Sequence, residues 1–497
     1  MGANLRVEWA PGAGERVVSE HAVDVPPERE HDDRAEAPDP RRWRILGVTL
    51  TVGFMSLLDV SIVNVAIPSM REGLHTSSAT IQWVVSGYAL AFGLTLVAGG
   101  RLGDAYGRRR MMLIGLTGFV LSSAAVGLAP SVGLVIAARL LQGATAGLLT
   151  PQSSGLIQQL FRGPERARAF GMFGFTVSTA AAIGPVLGGL IIAAAGEADG
   201  WRWLFLINVP IGAAALVAVA TLVPRRPPDR VEHGARIDVV GAVLLGLTVL
   251  ALLYPVVSVE SGARLPLLLL VLVPVLAFAF ARWELHLRRH ERPPLLDVEL
   301  LRGLPGYVNG LTVGTLYFTG YTGLILVISV YLQEALHYSP LEAGLLIIPF
   351  AVGSAVSAPL AGRYVSDVGR RLTVGALVVV MTGTLLFLLL APGRDPLWAW
   401  AVPTLLLAGL GGGAVISPNI TLTLADVPPR MGGAAGGALQ TGQRIGSSIG
   451  AALLVTAYGL GSTPVVGLRL ALGTGLVLLS LALVMAVRAL RVQDQGA

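Results

Sequence analysis

Apolar runs of roughly twenty residues recur along this chain from near residue 45 to near residue 487, separated by short polar stretches rich in Gly, Pro or Arg. Wound as a helix at about 1.5 Å per residue, such a run crosses about 30 Å of hydrocarbon. The pattern predicts spans near 45–69, 79–100, 111–129, 132–155, 169–195, 203–223, 238–258, 265–283, 306–332, 341–362, 372–391, 397–420, 434–458 and 465–487, fourteen in all. The seventh and eighth are the least sharply divided, because Pro255 and Pro266 stand close together. Residues 1 to about 40 break the pattern. They carry ten acids against four Arg and no apolar run, which predicts a disordered tail without a signal peptide.

Of the 497 residues, 54% are hydrophobic and 13% charged, with a mean hydropathy of +0.70. Soluble domains carry about a quarter charged residues, so there is too little charge here to cover one large soluble core. The composition is that of a polytopic membrane protein. The absence of cysteine excludes disulfides, iron–sulfur clusters and thiolate metal sites. The seven His are scattered without ligand spacing, so no metal and no cofactor is expected.

Charge then orients the chain. All 36 basic residues are Arg, and the pI is near 9.9. With the N-terminus inside, twenty Arg fall in cytoplasmic connections, among them Arg101, Arg108, Arg109, Arg110, Arg225, Arg288, Arg363 and Arg370. Five fall at the outer side: Arg71, Arg202, Arg264, Arg394 and Arg469. The positive-inside rule therefore predicts a plasma-membrane protein with both termini cytoplasmic, and explains the basic balance without nucleic acid. Arg139 and Arg444 fit neither set, because both lie inside apolar spans.

The chain also repeats itself. Gly100-Arg101-Leu102-Gly103-Asp104-Ala105-Tyr106-Gly107-Arg108-Arg109 follows the second span, and Gly362-Arg363-Tyr364-Val365-Ser366-Asp367-Val368-Gly369-Arg370-Arg371 follows the tenth. The two stretches share their glycine spacing and closing Arg pair, while the acid moves by one place. Their offset is 262 residues, whereas two six-span halves would give roughly 200. The excess matches one helical hairpin. The predicted organisation is a tail (1–44), a six-helix bundle (45–223), an inserted two-helix hairpin (224–303), a second six-helix bundle (304–487) and a short tail (488–497).

Five motifs carry a family resemblance. Gly100–Arg109 resembles the loop signature after the second span of major facilitator superfamily transporters. Leu58-Asp59-Val60-Ser61 through Pro68 resembles the first-span motif of the fourteen-span drug:proton antiporter branch (EmrB/QacA type). Arg139-Leu140-Leu141-Gln142-Gly143 is similar to the fourth-span motif, and Gly184-Pro185-Val186-Leu187-Gly188-Gly189 to the fifth-span antiporter motif. Trp201 through Pro210 also resembles that branch. The resemblance implies an all-α major facilitator fold: two six-helix bundles plus an inserted helical hairpin, with 14 transmembrane helices.

Each motif has a physical reading beside a blander one. Asp59 stands ~15 Å deep by helix rise, where a carboxylate must be paired, protonated or facing a wet cavity. It is either a proton site or a helix-packing acid. Arg139, at similar depth on a helix that lines the cavity of the resembled fold, is its natural partner, either for coupling or as a permanent ion pair. In the Gly100, Asp104, Gly107, Arg108 and Arg109 loop, Asp104 can meet Arg108 or Arg109 and the N-terminus of a helix from the other half. That would make a gate latch; otherwise the loop is a solvated basic turn. Ala105 replaces an Arg common in the family pattern. Gly184, Pro185, Gly188 and Gly189 kink and thin the fifth span; in the resembled family this motif accompanies antiport. Candidates for the substrate cavity are Asn309, Thr312, Tyr317, Tyr321, Asn419, Gln440 and Arg444. Arg444 reads equally as helix glue, and Glu334 as an outer proton entrance or a solvated loop acid.

The expected function is proton-coupled multidrug efflux of hydrophobic or cationic compounds, with small-molecule substrate, protons and lipid bilayer as partners of a monomer. No nucleotide-binding P-loop is present in the sequence. The nearest alternative is a dedicated exporter of an endogenous antibiotic, lipid or metabolite. A lipid-linked transferase would need clustered acids or His at a membrane face, whereas the loops carry mainly Arg and isolated acids. An enzyme is therefore not expected.

Overall fold

The structure is a computed structural model that describes residues 39–196, 199–224, 238–260, 265–290, 303–390 and 396–495, together with Leu295. The expected N-terminal tail and much of the linkers flanking the hairpin lie outside these residues.

Among the described residues the chain is helical, with short turns between the helices. They are α1 (Arg42–Gly73), α2 (Ser78–Tyr106), α3 (Arg108–Gly127), α4 (Val132–Leu160), α5 (Gly163–Ala195), α6 (Gly200–Leu206) and α7 (Asn208–Leu222). Then come α8 (Val239–Glu260) and, after a 3-10 turn at Leu265–Val271, α9 (Leu272–Arg289). The remainder are α10 (Pro305–Val330), α11 (Pro340–Val368), α12 (Arg370–Leu390), α13 (Leu397–Thr423), α14 (Gly432–Gly459) and α15 (Pro464–Gln495).

Each predicted run falls on helix, the sixth being shared by α6 and α7. Among the described residues, eleven helical segments are long and apolar enough to cross a membrane. The helix α5 makes a twelfth if its arms Gly163–Ala181 and Val186–Ala195, bent by 41°, form one span. The two other predicted runs are α8, apolar only over Val239–Pro255, and α14, whose apolar character is diluted by Gln440, Gln443, Arg444 and many glycines. Large apolar side chains such as Leu121, Val217, Phe278, Leu389 and Val477 face outward. That outer surface suits lipid.

Local chemistry sets the helix ends. The Ser77 hydroxyl accepts from the Thr80 amide to open α2, and Ser339 with Glu342 forms a capping box at the start of α11. The two repeated loops turn in the same way. Gly107 ends α2 at φ 94°, and Gly369 ends α11 at φ 63°. A side chain is strained at both values, which is the backbone reason for the repeated glycine.

Helices α1–α7 pack mainly on one another, as do α10–α15. The halves meet where α5 lies on α11 and α13, and α14 lies on α2 and α4. In the hairpin, α9 packs on α8, and α8 lies across the seam against α2 and α14. Trp83 meets Tyr254 there at 5.7 Å, above a cluster of Leu90, Val249 and Leu253 that Ile445 joins.

Candidate functional site

The structure brings Asp59 and Arg139 together. Arg139 Nη1 stands 2.5 Å from Asp59 Oδ2, with side-chain exposures of 1% and 0%. The other carboxylate oxygen accepts from Gln142 Nε2 at 3.0 Å and from Asn208 Nδ2 at 3.2 Å. Both amides also reach Ser123 Oγ, whose hydroxyl donates to the Phe205 carbonyl at 2.9 Å. Arg139 Nε donates to the Val84 carbonyl, and its Nη1 also donates to Gln142 Oε1. The guanidinium lies 4.1 Å over the Tyr88 ring, an attraction worth about 2 kcal/mol when desolvated. The helices α1, α2, α3, α4, α6 and α7 thus converge on one carboxylate.

This arrangement can hold a charge that water could not reach to stabilise. Removing either partner of such a pair leaves an uncompensated ion and costs about 3–5 kcal/mol.

The repeated loop builds a second group of contacts. Asp104 Oδ1 accepts from Arg108 Nη2 at 2.9 Å and from the Gly433 amide at 3.1 Å, while Oδ2 accepts from the Ala434 amide at 2.9 Å. Those amides open α14, so the carboxylate also meets the positive end of its dipole. The approach is possible because Gly100 and Gly433 touch backbone to backbone; a Cβ on Gly100 would lie 2.1 Å from the Gly433 carbonyl oxygen. Arg108 spans further, donating to the Pro429 carbonyl at 3.0 Å. Gln158 donates to the Leu424 carbonyl at 3.0 Å and Arg166 to the Ala425 carbonyl at 3.3 Å. Ser178 and Ser354 share a hydrogen bond at 2.8 Å nearer mid-bundle. Arg109 takes no part: its guanidinium donates to the Ala220 carbonyl at the end of α7, within its own half.

The remaining expected residues separate into groups. The bend of α5 falls between Ala181 and Val186, where Gly184 and Pro185 stand. Gly184 lies against Ser61 of α1, in the same half, Gly188 is buried, and a Cβ on Gly189 would meet nothing within 4 Å. Of the cavity candidates, three are already engaged. Asn419 donates to the Gly310 carbonyl at 3.1 Å, Tyr317 to the Gly412 carbonyl at 3.2 Å, and Thr312 to the Val308 carbonyl at 2.9 Å. The Tyr321 ring packs at a tilt against Tyr317 and Phe350, with centroids 4.8 and 5.2 Å away. Asn309, Gln440 and Arg444 are half-buried and make no hydrogen bond to protein among the described residues. Glu334 is exposed beyond the end of α10.

In the sequence Gln142 and Asn208 lie within motifs that give them no role of their own, Arg166 counts only toward the cytoplasmic charge, and Tyr88, Ser123 and Gln158 carry no signal. One signal was available: Arg139 and Gln142, three apart on a helix, share a face. Among the described residues there is no group of three or more His, Cys, Asp or Glu placed to hold a metal.

Two helical bundles joined at a seam, with a buried charge pair in one and a repeated loop at their junction, define a membrane transporter. The match to the Major Facilitator Superfamily model runs over residues 49–451, and the chain belongs to that family of small-molecule transporters. It is 39% identical over 436 residues to a probable actinorhodin transporter of Streptomyces coelicolor, covering 86% of this chain and 74% of that protein. It is 37% identical over 427 residues to the puromycin resistance protein pur8 of Streptomyces alboniger, covering 85% and 82%. Among solved structures, it is similar to the human organic anion transporter MFSD10, with a TM-score of 0.68 over 90% of this chain and 100% of that one. At 17% identity that likeness concerns the fold alone.

Proposed function

We propose that this chain is a fourteen-span, proton-coupled efflux antiporter of the plasma membrane, with both termini cytoplasmic, that expels hydrophobic compounds by alternating access. The observation that carries the reading is the sealed Asp59–Arg139 pair. A proton arriving from outside neutralises Asp59, releases Arg139 from its partner and loosens the packing of six helices. Return of the proton to the cytoplasm restores the pair. The Asp104 contacts hold the halves together at the end that the Arg distribution assigns to the cytoplasm, so the conformation is closed to the cytoplasm. Substrate enters when those contacts part and leaves on the other side when they re-form.

A second reading, a dedicated exporter of one antibiotic, draws support from the relatives named for actinorhodin transport and puromycin resistance. Everted membrane vesicles test both. Accumulation of compounds from a chemically varied panel should follow an imposed proton gradient and stop when a protonophore collapses it. Accumulation of a single compound supports the dedicated exporter. Accumulation indifferent to the gradient overturns proton coupling.

A further inference from the structure

Among the described residues, Arg444 has no counter-charge. Arg444 stands twelve residues into α14, about 18 Å along its axis from Gly432. It is half-buried, with its guanidinium 4.7 Å over the Phe92 ring of α2. Among the described residues no carboxylate lies within ion-pair distance of it, and it makes no hydrogen bond to protein. The two buried guanidinium groups among the described residues are answered: Arg139 by Asp59, and Arg108 by Asp104.

Helix geometry says where Arg444 points. Gly433 and Gly437 press against Gly100 and Leu96 of α2. Gln440 and Arg444 continue that stripe, at steps of three and four residues. The face of α14 that seals the seam at the latch end therefore carries an uncommitted amide and an uncommitted cation at mid-depth. An intramembrane cation without a partner is costly and calls for a ligand. The acid nearest in chemistry, Asp59, cannot serve a cationic ligand here, because its oxygens are occupied by Arg139, Gln142 and Asn208.

We propose that Arg444, with Gln440 one turn away, binds an acidic group, a carboxylate or ionised phenol, on an otherwise apolar substrate. The proposal rests on the export reading above and fixes its substrate class: anionic, where the sequence pointed to hydrophobic or cationic compounds. Arg supplies two parallel donors to such a group, and Gln440 adds a further one. The aromatic Phe92 flanks the apolar body.

The test is equilibrium binding to the full chain in phosphatidylcholine nanodiscs, with empty nanodiscs as blank. Three probes share one apolar body: 1-pyrenebutyrate, 1-pyrenebutanol and 1-pyrenebutylamine. The expected order is carboxylate tighter than alcohol by about tenfold, with the amine weakest. Arg444→Gln should bring the carboxylate level with the alcohol, and Arg444→Lys should keep the order. An amine bound as tightly as the carboxylate, a carboxylate preference that survives Arg444→Gln, or no binding of any probe overturns the proposal. The wild-type ranking decides by itself if Arg444→Gln fails to fold. An anionic lipid headgroup is the other source of the same chemistry. Loss of pyrenebutyrate binding when phosphatidylglycerol is added to the nanodiscs assigns the site to lipid and overturns the substrate reading. No proton gradient enters these measurements, so failure of gradient-driven export leaves their result standing, and the reverse holds.

Discussion

Asp104, at the end of α2, accepts the Ala434 backbone amide at 2.9 Å, across a sequence separation of 330 residues. A carboxylate of one half thus caps the first turn of a helix in the other. Asp104→Asn keeps the size but loses the charge that strengthens these bonds, each worth about 1.5–3 kcal/mol. Losing ~1.4 kcal/mol changes a two-state ratio tenfold. The expected outcome is a larger population with the halves parted at this end, and slower transport. The chain has no cysteine, so two introduced cysteines near Tyr106 and Met431 can carry spin labels for distance measurement. Substrate affinity within one locked state should change little. A sharp fall in that affinity, with the conformational ratio unchanged, would place Asp104 in a binding site instead.

Membrane orientation gives a second expectation. Single cysteines replacing the exposed Leu128 and Leu460 should react with an impermeant maleimide added to intact cells. Cysteines replacing Tyr106 and His290 should react only after permeabilisation. Labelling of the Tyr106 position from outside would reverse the orientation drawn from the Arg distribution.

The residues that sequence reasoning found are those with charge or repetition. Asp59 and Arg139 stood out because ions are scarce in apolar spans, and the loop at Gly100–Arg109 because it recurs. Their surroundings were hidden for physical reasons. Gln142, Asn208, Ser123 and Tyr88 are neutral: the two amides reach Asp59, Ser123 holds the amides and Tyr88 covers Arg139, only because α2, α3, α4 and α7 converge there. Half of the latch uses backbone carbonyls at Leu424, Ala425 and Pro429, which no side-chain pattern reveals. The failure of Arg109 to join Asp104 is a matter of direction. One residue farther along the helix, its side chain turns toward α7.

The repeated glycine offers a stability test. Gly107→Ala forces a side chain into φ 94°, at a cost of about 1–2 kcal/mol. The detergent-solubilised protein should lose roughly 2–4 °C in Tm. Gly375→Ala is the control: Gly375 lies within α12 with open space around it, so its Tm should hold or rise. Equal loss in both variants would mean that the turn conformation is not what the glycine supplies.

The buried pair allows a sharper separation of stability from coupling. Asp59→Asn preserves shape and some hydrogen bonds, but it leaves Arg139 charged, sealed and without its ion partner. Breaking such a pair costs about 3–5 kcal/mol, so the variant should melt earlier and show no gradient-driven export. Adding Arg139→Gln removes the stranded charge. The double variant should recover much of the lost Tm, because the two residues form one energetic unit and their effects are not additive. It should remain without proton-driven export, since no group is left to cycle a charge. Export assays in everted vesicles and thermal melts of the same preparations check both halves of this expectation. Normal gradient-driven export by a well-inserted Asp59→Asn would remove Asp59 from the coupling role. A double variant as unstable as the sum of the single ones would show that the stabilising interactions of Asp59 run through Gln142 and Asn208 rather than Arg139.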